Sequence, residues 1–287
     1  MKIIDGQKIA TKIKNKIVKE TYQIANSASS RRPNLAIILV GNRADSQLYV
    51  SLKEREGVKL GIDTNLYKLE ENVSEAELLN LIGFLNRDEL IDGILVQLPL
   101  PEKFATDKII KAINPLKDAD GFHPLHPEYV ISPVLGAILE TLKYIKFSAT
   151  GKIASVLYNS EIFGSSVGKI LEELGLQVNL VSVKNFNSLD ENEAELKRQE
   201  IKLKCQAADL LISALGLPRF INSEIVKPEA VLIDIGITKI NGQVLGDFDF
   251  DNLKSIASYI TPVPGGVGPM TIALLFRNVL EIFKHRS

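Results

Sequence analysis

Short apolar segments of strand length alternate with segments of helical periodicity, and this alternation runs through two successive stretches of the chain. In the first stretch the candidate strands are residues 35–40, 64–69 and 91–98. In the second they are residues 152–157, 177–183, 209–214 and 230–235. Buried strands separated by helices indicate βαβ units and a parallel sheet. We therefore predict two α/β domains, the second a Rossmann-like doubly wound parallel sheet, with a cleft between them.

The candidate helices lie between these strands and after the last of them. They are residues 44–60, 74–86, 164–174, 190–205 and 268–284. Ser74 and Glu77 form a capping-box pattern, and Asp45 or Ser46 is a candidate N-cap of the helix 44–60. The last helix carries an apolar stripe that requires a partner surface. Residues 114–133 contain four prolines and little periodicity, which predicts a linker and a wall of the cleft.

Composition narrows the class of protein further. Of the 287 residues, 45% are hydrophobic and 24% are charged, which excludes disorder as the main state. The 34 basic and 35 acidic residues give a net charge of −1, which disfavours a dedicated nucleic-acid binder. The single cysteine, Cys205, excludes an intrachain disulfide and favours a reducing compartment. We see no apolar run of signal-peptide or membrane-spanning length, so we expect no membrane association.

Two polar side chains on the first long helix are candidates for chemistry. Tyr49 and Lys53 are four residues apart, which places them on one helix face. A lysine can do acid–base work at neutral pH if burial lowers its pKa, and the alternative is an exposed lysine beside a half-buried tyrosine. Gln97 lies at the end of a predicted strand, before two prolines. It either faces a ligand or caps the strand end.

A polar loop follows at residues 117–124. Asp120 precedes Gly121, so a tight turn there would present a carboxylate that can accept two hydrogen bonds from an amino-pyrimidine edge. The alternative is an Asx turn. His123 and His126 resemble a loose metal pair, but the sequence places no further ligand near them, so we predict no metal and solvated histidines.

Two turns complete the candidate features. Residues 261–271 read TPVPGGVGPMT, a stiff turn around Pro264, Gly265 and Gly266 that lets a flat ligand approach the backbone. Residues 158–166 read YNSEIFGSS, between a strand and a helix, where a dinucleotide or an ordinary capped turn would fit. The next predicted strand is followed by Lys184 and not by an acid, which favours a 2′-phosphate and hence NADP.

Taken in order, these segments resemble the methylenetetrahydrofolate dehydrogenase/methenyltetrahydrofolate cyclohydrolase family over nearly the whole chain. The resemblance rests on several long motifs in one order. They are Tyr49-Val50-x-x-Lys53 and the residues 96–101, 117–124, 208–218, 233–237, 246–250 and 262–271.

The resemblance implies roles for these residues. Lys53 is the acid–base residue of the hydrolysis, Tyr49 stacks on the pterin, Gln97 tunes Lys53, and Asp120 holds the pterin edge. The implied substrate-binding residues are Tyr49, Gln97, Leu98, Pro99, Asp120, Pro264, Gly265 and Gly266. The implied cofactor-binding residues are Tyr158, Asn159, Ser160, Gly164, Lys184 and Ile237.

The resemblance also implies how the chain is divided and where it acts. Residues 1–133, completed by the helix 268–287, would form the folate-binding catalytic domain, and residues 134–267 the Rossmann-like NADP-binding domain. We expect a cytoplasmic homodimer that interconverts tetrahydrofolates, with a link to purine biosynthesis. Its partners would be tetrahydrofolate derivatives, with no nucleic acid and no membrane.

The chain departs from the family pattern on the cofactor side. It has Tyr158-Asn159-Ser160 where the family has Gly-x-Ser, and Gly164-x-Ser166 where the family has Gly-x-Pro. These differences predict weak NADP binding. Two alternatives therefore stay open, a cyclohydrolase with weakened or lost nicotinamide binding and a non-catalytic folate-binding scaffold. A short-chain dehydrogenase also uses Tyr-x-x-x-Lys, but a glycine-rich turn would precede that pair, and the sequence has none there.

Overall fold

The computed structural model describes residues 2–26, 31–188 and 190–286. The chain divides into two compact units. The first unit consists of Ala10–Gly136 and Thr271–Ser287, and the second unit of Met1–Ile9 and Ala137–Met270.

The α-helices and strands are numbered in chain order. The helices are α1 (Gly6–Ala25), α2 (Ala44–Leu60), α3 (Glu75–Arg87), α4 (Thr106–Lys111), α5 (Pro133–Tyr144), α6 (Glu161–Glu173), α7 (Glu191–Ala207), α8 (Phe250–Leu253) and α9 (Val267–Arg286). The strands are β1 (Lys2–Ile3), β2 (Asn34–Val40), β3 (Asp63–Leu69), β4 (Gly93–Val96), β5 (Ile153–Tyr158), β6 (Gln177–Ser182), β7 (Leu210–Ala214), β8 (Val231–Asp234), β9 (Thr238–Ile240), β10 (Gln243–Leu245) and β11 (Tyr259–Ile260).

The first unit is built on a parallel sheet in the order β3-β2-β4. Ile37 of the central strand pairs with Leu66 on one side and Leu95 on the other. The apolar residues of β2 are all buried, as expected of a strand covered on both faces. Helix α9 adds Phe276 and Val279 to this core, and both are fully buried.

Helix ends in the first unit test the capping predictions. At the start of α3, the Ser74 Oγ accepts the Glu77 N–H while the Glu77 carboxylate accepts the Ser74 N–H, which confirms the capping box. The predicted N-cap of α2 is wrong, because α2 begins at Ala44, directly after Arg43, and has no side-chain cap in the described structure. Asp45 is already helical, and its carboxylate binds the Arg43 guanidinium.

Residues 114–133 are part of the first unit, so the prediction of a linker is wrong. The Ala119 N–H donates to the Ile94 carbonyl at 3.2 Å. From α9, the Asn278 Nδ2 donates to the carbonyls of Ala119 and Ile131 at 2.9 and 2.8 Å. The prolines make the segment irregular, but these hydrogen bonds join it to β4 and α9.

The second unit confirms the prediction of a parallel sheet. Six strands pair in the order β1-β11-β8-β7-β5-β6, and each of the five pairs is parallel. Strand β5 pairs with β6 on one side and β7 on the other, so the strand order reverses at β5. In such sheets ligands bind beyond the carboxyl ends of the strands at this reversal. The hairpin of β9 and β10 lies outside the sheet.

Several predicted element bounds shift for identifiable reasons. Strand β4 is shorter than the predicted 91–98. Its neighbouring residues still bond to β2, since the Asp92 N–H donates to the Asn34 carbonyl and the Gln97 N–H to the Ile38 carbonyl, while Pro99 lacks an N–H to extend the ladder. Helix α6 begins before the predicted residue 164, since the Gly164 N–H already donates to the Ser160 carbonyl. The helices α1, α4, α5 and α8 and the strands β1, β9, β10 and β11 were not predicted.

Candidate active site

A cavity of about 330 Å³ lies in the first unit. Six predicted site residues line it, namely Tyr49, Lys53, Gln97, Leu98, Pro99 and Asp120. They come from three different parts of the first unit: helix α2, the segment that follows β4, and the loop 117–124. The predicted residues Pro264, Gly265 and Gly266 belong to the second unit, and their contact with substrate stays a prediction.

The Lys53 amine is held by the Gln97 amide. The Lys53 Nζ donates to the Gln97 Oε1 at 2.8 Å, and the Gln97 Nε2 donates to the Leu98 carbonyl at 2.7 Å. The second bond fixes which amide atom faces the lysine. Burial lowers the pKa of Lys53, and the Asp120 carboxylate opposes that shift by raising it. The arrangement therefore favours a lysine that gives up its proton more readily than an exposed lysine.

Asp120 faces the same cavity because a second carboxylate shapes its loop. The buried Asp118 accepts the Asp120 N–H at 3.1 Å and the His123 N–H at 2.6 Å. Burial raises the pKa of Asp120 to about 6, Lys53 lowers it, and Asp118 raises it. The Asx turn considered as an alternative thus exists at Asp118, and it presents the side chain of Asp120.

Gly121 allows this turn to form. Its φ of +62° lies in the left-handed region. A Cβ at this position would meet the Ser132 backbone nitrogen at 2.8 Å. Both facts favour glycine here, so the Asp-Gly pair reflects backbone geometry and close packing.

Two serines that line the cavity were not among the predicted site residues. Ser46 and Ser132 are 3% and 5% exposed, and within the described chain neither Oγ has a hydrogen-bond partner. Each hydroxyl therefore keeps an unused donor beside the cavity. Ser46 lies three residues before Tyr49 on α2, so helical spacing could have identified it. The sequence contains no local signal for Ser132, which reaches the cavity through the fold.

Two other residues of the loop 117–124 have structural roles. Lys117 is buried, and its Nζ donates to the carbonyls of Leu85 and Asp88 near the end of α3. His123 is also buried, and its Nδ1 accepts the Leu125 N–H at 3.0 Å. The prediction of a solvated histidine is therefore wrong for His123, because the Asp118 turn draws its backbone inward.

The side chains of the cavity form a set suited to a polar, flat ligand. Tyr49 is 36% exposed as a residue, so its ring is available for stacking beside the cavity. Asp120 offers a carboxylate acceptor, and Lys53 offers an amine whose protonation state can change. Together they can bind an amino-substituted ring and move a proton at an atom near the Lys53 Nζ.

Four predicted cofactor residues lie together in the second unit. Tyr158 ends β5, Asn159 and Ser160 form the turn, and Gly164 lies in the first turns of α6. The Asn159 Nδ2 donates to the Leu215 carbonyl at 2.8 Å, which links the ends of β5 and β7 at the reversal of strand order.

The chemistry of this turn fits a dinucleotide pyrophosphate. Ser160 is the N-cap residue of α6, and among the described atoms it makes no side-chain cap bond. The first N–H groups of the helix are therefore not satisfied by a cap and can donate to an anion. Lys184 follows β6, and Ile237 follows β8; both side chains are exposed near the same edge of the sheet.

Metal chemistry has no ligand set in the described part of the chain. No group of three or more His, Cys, Asp or Glu side chains there could hold a metal ion. No helix among the described residues has the length and apolar character to cross a bilayer.

Comparison with known families gives two matches in chain order. Residues 4–120 match the family model of the tetrahydrofolate dehydrogenase/cyclohydrolase catalytic domain. Residues 133–287 match the model of that family's NAD(P)-binding domain. Together the two models cover most of the chain.

Individual relatives agree with these matches. The bifunctional protein FolD of Sulfurihydrogenibium sp. is 42% identical over 294 residues, which cover 100% of this chain and 99% of the relative. The FolD of Aquifex aeolicus is 39% identical over 293 residues, which cover 99% of this chain and 96% of the relative.

Solved structures give the same result. The bifunctional FolD methylenetetrahydrofolate dehydrogenase/cyclohydrolase of Campylobacter jejuni has a TM-score of 0.90 and 34% identity over 100% of both chains. The Trypanosoma brucei enzyme, complexed with NADP cofactor and inhibitor, has a TM-score of 0.89 and 31% identity, covering 99% of this chain and 97% of that one.

Proposed function

Because the chain belongs to the tetrahydrofolate dehydrogenase/cyclohydrolase family, we propose that it oxidises 5,10-methylenetetrahydrofolate with NADP and hydrolyses the 5,10-methenyl product to 10-formyltetrahydrofolate. It is an oxidoreductase and a hydrolase of folate one-carbon metabolism. One observation carries the hydrolytic half of this proposal, the Lys53 amine held on the Gln97 Oε1 in a cavity that also contains Asp120.

The hydrolysis follows from the state of Lys53. A neutral Lys53 donates one N–H to Gln97 and keeps its lone pair for a proton. When water attacks the methenyl carbon, this amine removes a proton from the water and leaves a neutral hydroxyl adduct. The bond from that carbon to the ring nitrogen N5 then breaks as N5 takes up a proton and the hydroxyl loses one to become the formyl carbonyl, so one proton is released overall. Because burial lowers the pKa of Lys53, a larger share of the amine is neutral near pH 7 than for an exposed lysine.

The other cavity residues position the substrate in this proposal. The Tyr49 ring stacks on the pterin, and the Asp120 carboxylate accepts hydrogen bonds from its amino-pyrimidine edge. Leu98 and Pro99 line the cavity beside Gln97. Pro264, Gly265 and Gly266 also bind substrate in this proposal, through backbone that is free of large side chains.

The second unit would hold the nicotinamide cofactor. The residues proposed for this role are Tyr158, Asn159, Ser160, Gly164, Lys184 and Ile237. The uncapped start of α6 supports it, because its N–H groups can bind the pyrophosphate. When bound, the cofactor accepts the hydride of the oxidation. We propose that residues 1–133 with the helix 268–287 form the folate-binding catalytic domain and residues 134–267 the NADP-binding domain. The first residues of the chain, with β1, pair into the sheet of the second unit.

Replacement of the lysine tests the hydrolytic mechanism. We expect Lys53→Ala to lower the rate of methenyl hydrolysis by about 100-fold or more, because the proton acceptor is lost. Hydrolysis is followed by the loss of the methenyl chromophore, and circular dichroism checks that the fold is retained. Lys59→Ala is the matched control, since Lys59 lies on the same helix, is exposed and pairs with Glu56 at 2.8 Å.

The outcome separates Lys53 from its neighbours. Near-normal hydrolysis by a folded Lys53→Ala protein would remove Lys53 from the mechanism. An equal loss in Lys59→Ala would point to a general effect of charge or stability on α2. A loss confined to Lys53→Ala supports the proposal.

The assembly and location of the chain are also proposals. We infer a cytoplasmic homodimer that binds tetrahydrofolates and no nucleic acid, and the net charge of −1 supports the last point. Analytical ultracentrifugation at micromolar concentration should give twice the mass of the 31.6 kDa chain. A species of 31.6 kDa at these concentrations would contradict the dimer.

A further inference from the structure

A carboxylate lies at the carboxyl end of β6, although it comes from another element. Glu161 is the first residue of α6. Its Oε1 accepts the Ser182 hydroxyl at 3.0 Å, and its Oε2 accepts the Tyr158 hydroxyl at 3.1 Å. Because Ser182 is the last residue of β6, the Glu161 carboxylate lies at the end of that strand.

This position matters for coenzyme choice in a doubly wound sheet. Strands β5 and β6, with α6 between them, form the first βαβ unit of the second unit's parallel sheet. In that unit the end of the second strand faces the adenosine ribose of a dinucleotide. A carboxylate there accepts the 2′-hydroxyl of NAD, whereas a basic residue accommodates the 2′-phosphate of NADP. Glu161 thus supplies from the helix an acid that β6 itself lacks.

The Glu161 carboxylate is held in place by a buried ring. Tyr158 is 6% exposed, and its ring lies so close to Gly164 that a Cβ there would be 2.6 Å from ring atoms. The ring therefore depends on glycine at position 164, and its hydroxyl has a defined position from which to donate to Glu161. Each carboxylate oxygen accepts one of these bonds and retains a lone pair for a ligand.

No base of the described chain forms an ion pair with the Glu161 carboxylate. Within the described residues, no salt bridge includes Glu161. Lys184, which follows β6, is exposed and makes no hydrogen bond to Glu161 in the described structure. A 2′-phosphate near this strand end would meet a like charge that no ion pair offsets, which costs binding free energy.

We propose that Glu161 is a coenzyme-specificity residue whose carboxylate accepts an adenosine 2′-hydroxyl and disfavours a 2′-phosphate, so that the chain takes NAD as well as NADP. This inference rests on the proposed dinucleotide site of the second unit. Tyr158 and Ser182 act as positioning residues, since each donates to the carboxylate and leaves the ribose contact to Glu161.

Binding of adenosine fragments tests the proposal without any turnover. The full chain is titrated by calorimetry with 2′,5′-ADP, which carries the 2′-phosphate, and with 5′-ADP, which lacks it. NADP and NAD are titrated in parallel. The test variant is Glu161→Gln, which removes the charge at nearly constant size. The control is Glu172→Gln, which makes the same charge change on the exposed surface of α6, away from β6.

We expect the unmodified chain to bind 5′-ADP at least as tightly as 2′,5′-ADP. Glu161→Gln should tighten 2′,5′-ADP by about tenfold and weaken 5′-ADP, because one like-charge contact and one charged acceptor are removed. Glu172→Gln should leave the ratio of the two affinities unchanged.

Other outcomes overturn the proposal in distinguishable ways. A marked preference of the unmodified chain for 2′,5′-ADP, with the same ratio in Glu161→Gln, would overturn the role of Glu161 and leave the dehydrogenase intact. An equal change in the ratio of the two affinities in Glu172→Gln would overturn the proposal, because it would show a general effect of charge on α6. Absence of saturable binding by every adenosine ligand would overturn both this inference and the dehydrogenase half of the proposed function, while Lys53-dependent hydrolysis would still stand.

Discussion

At the scale of single residues, the contact between Lys53 and Gln97 controls the proposed hydrolysis. The Gln97 amide is neutral, so it orients the lysine without stabilising its charged form as a carboxylate would. Burial can therefore lower the pKa of Lys53, with the Asp120 carboxylate as an opposing charge.

Exchange of the amide for a carboxylate gives a pH-dependent prediction. In Gln97→Glu, a negative charge next to the amine should raise the pKa of Lys53. The pH profile of hydrolysis should therefore shift to higher pH by about one to two pH units. The measurement is kcat/KM for methenyl hydrolysis from pH 6 to 10. Gln97→Met removes the acceptor without adding charge and should give no alkaline shift. An unshifted Gln97→Glu profile would show that Lys53 does not titrate in the reaction.

Residue-scale prediction from sequence succeeded where local geometry carries the signal. Tyr49 and Lys53 share a helix face because four residues make about one turn, and the Asp-Gly pair at Asp120 marks a turn. Ser132 could not be found in this way, since its place in the cavity depends on packing between segments that are distant in sequence. His123 was placed in solvent because the inward turn made by Asp118 is not visible in composition.

At the scale of elements, two buried carboxylates connect the loops at the carboxyl edge of the second unit's sheet. Asp234, at the end of β8, accepts the N–H groups of Gly236, Asp247 and Phe248. Asp247 in turn accepts from the Ser213 hydroxyl and the Leu215 N–H, both at 2.7 Å. Burial raises the pKa of Asp234 to about 7, and the nearby Asp247 adds to that shift.

This raised pKa predicts how the effect of a substitution at Asp234 on the free energy of unfolding depends on pH. The folded-state pKa of Asp234 lies above the unfolded value, so its contribution to the free energy of unfolding is present at acidic pH and falls as pH rises through about 7. We expect the destabilisation caused by Asp234→Asn to shrink between pH 5 and 7, by up to about 1.4 kcal/mol per pH unit.

Urea unfolding at several pH values measures this difference. Asp251→Asn is the comparison, because Lys254 lowers the pKa of the exposed Asp251 carboxyl, so its small effect should not shrink with rising pH. A destabilisation by Asp234→Asn that stays constant, or that grows from pH 5 to 7, would show that Asp234 is ionised across this range.

Helices and strands were predicted best where the apolar pattern is periodic and a turn residue marks its end. Residues 44–60 show this, since the helix is followed by Gly61, whose φ of 70° ends α2. The N-cap of α2 was misplaced because Asp45 uses its carboxylate on Arg43, a choice between partners that spacing cannot decide. Residues 114–133 were predicted to be a linker because the hydrogen bonds that Asn278 of α9 donates to this segment join distant positions and leave no local sequence pattern.

At the scale of the whole molecule, Cys205 reports on opening of the second unit. Its thiol is fully buried on α7, and burial raises the pKa to about 12. We expect a thiol-specific reagent such as DTNB to label the native chain at least about a hundredfold more slowly than the chain in denaturant, because only the thiolate reacts and it forms on opening.

The midpoint of labelling in urea should coincide with loss of the circular dichroism signal from this unit. Glutathione labelled with the same reagent in the same denaturant controls for the effect of the denaturant on the reagent. Rapid labelling of the native chain would mean that α7 detaches from the sheet without global unfolding, which would contradict the burial seen for Cys205.

The sequence by itself determined the two parallel α/β sheets, because strand length and helical period are properties of short segments. It also determined the candidate acid–base and binding residues of the cavity, because helix spacing and turn residues place Tyr49, Lys53 and Asp120. Only the tertiary structure decided the charge at the cofactor side. Read along the chain, β6 is followed by Lys184, but folding brings the Glu161 carboxylate to Ser182 across 21 positions. The physical reason is that a parallel βαβ unit returns the start of its helix to the ends of both strands, so the local charge depends on chain geometry and not on sequence neighbours.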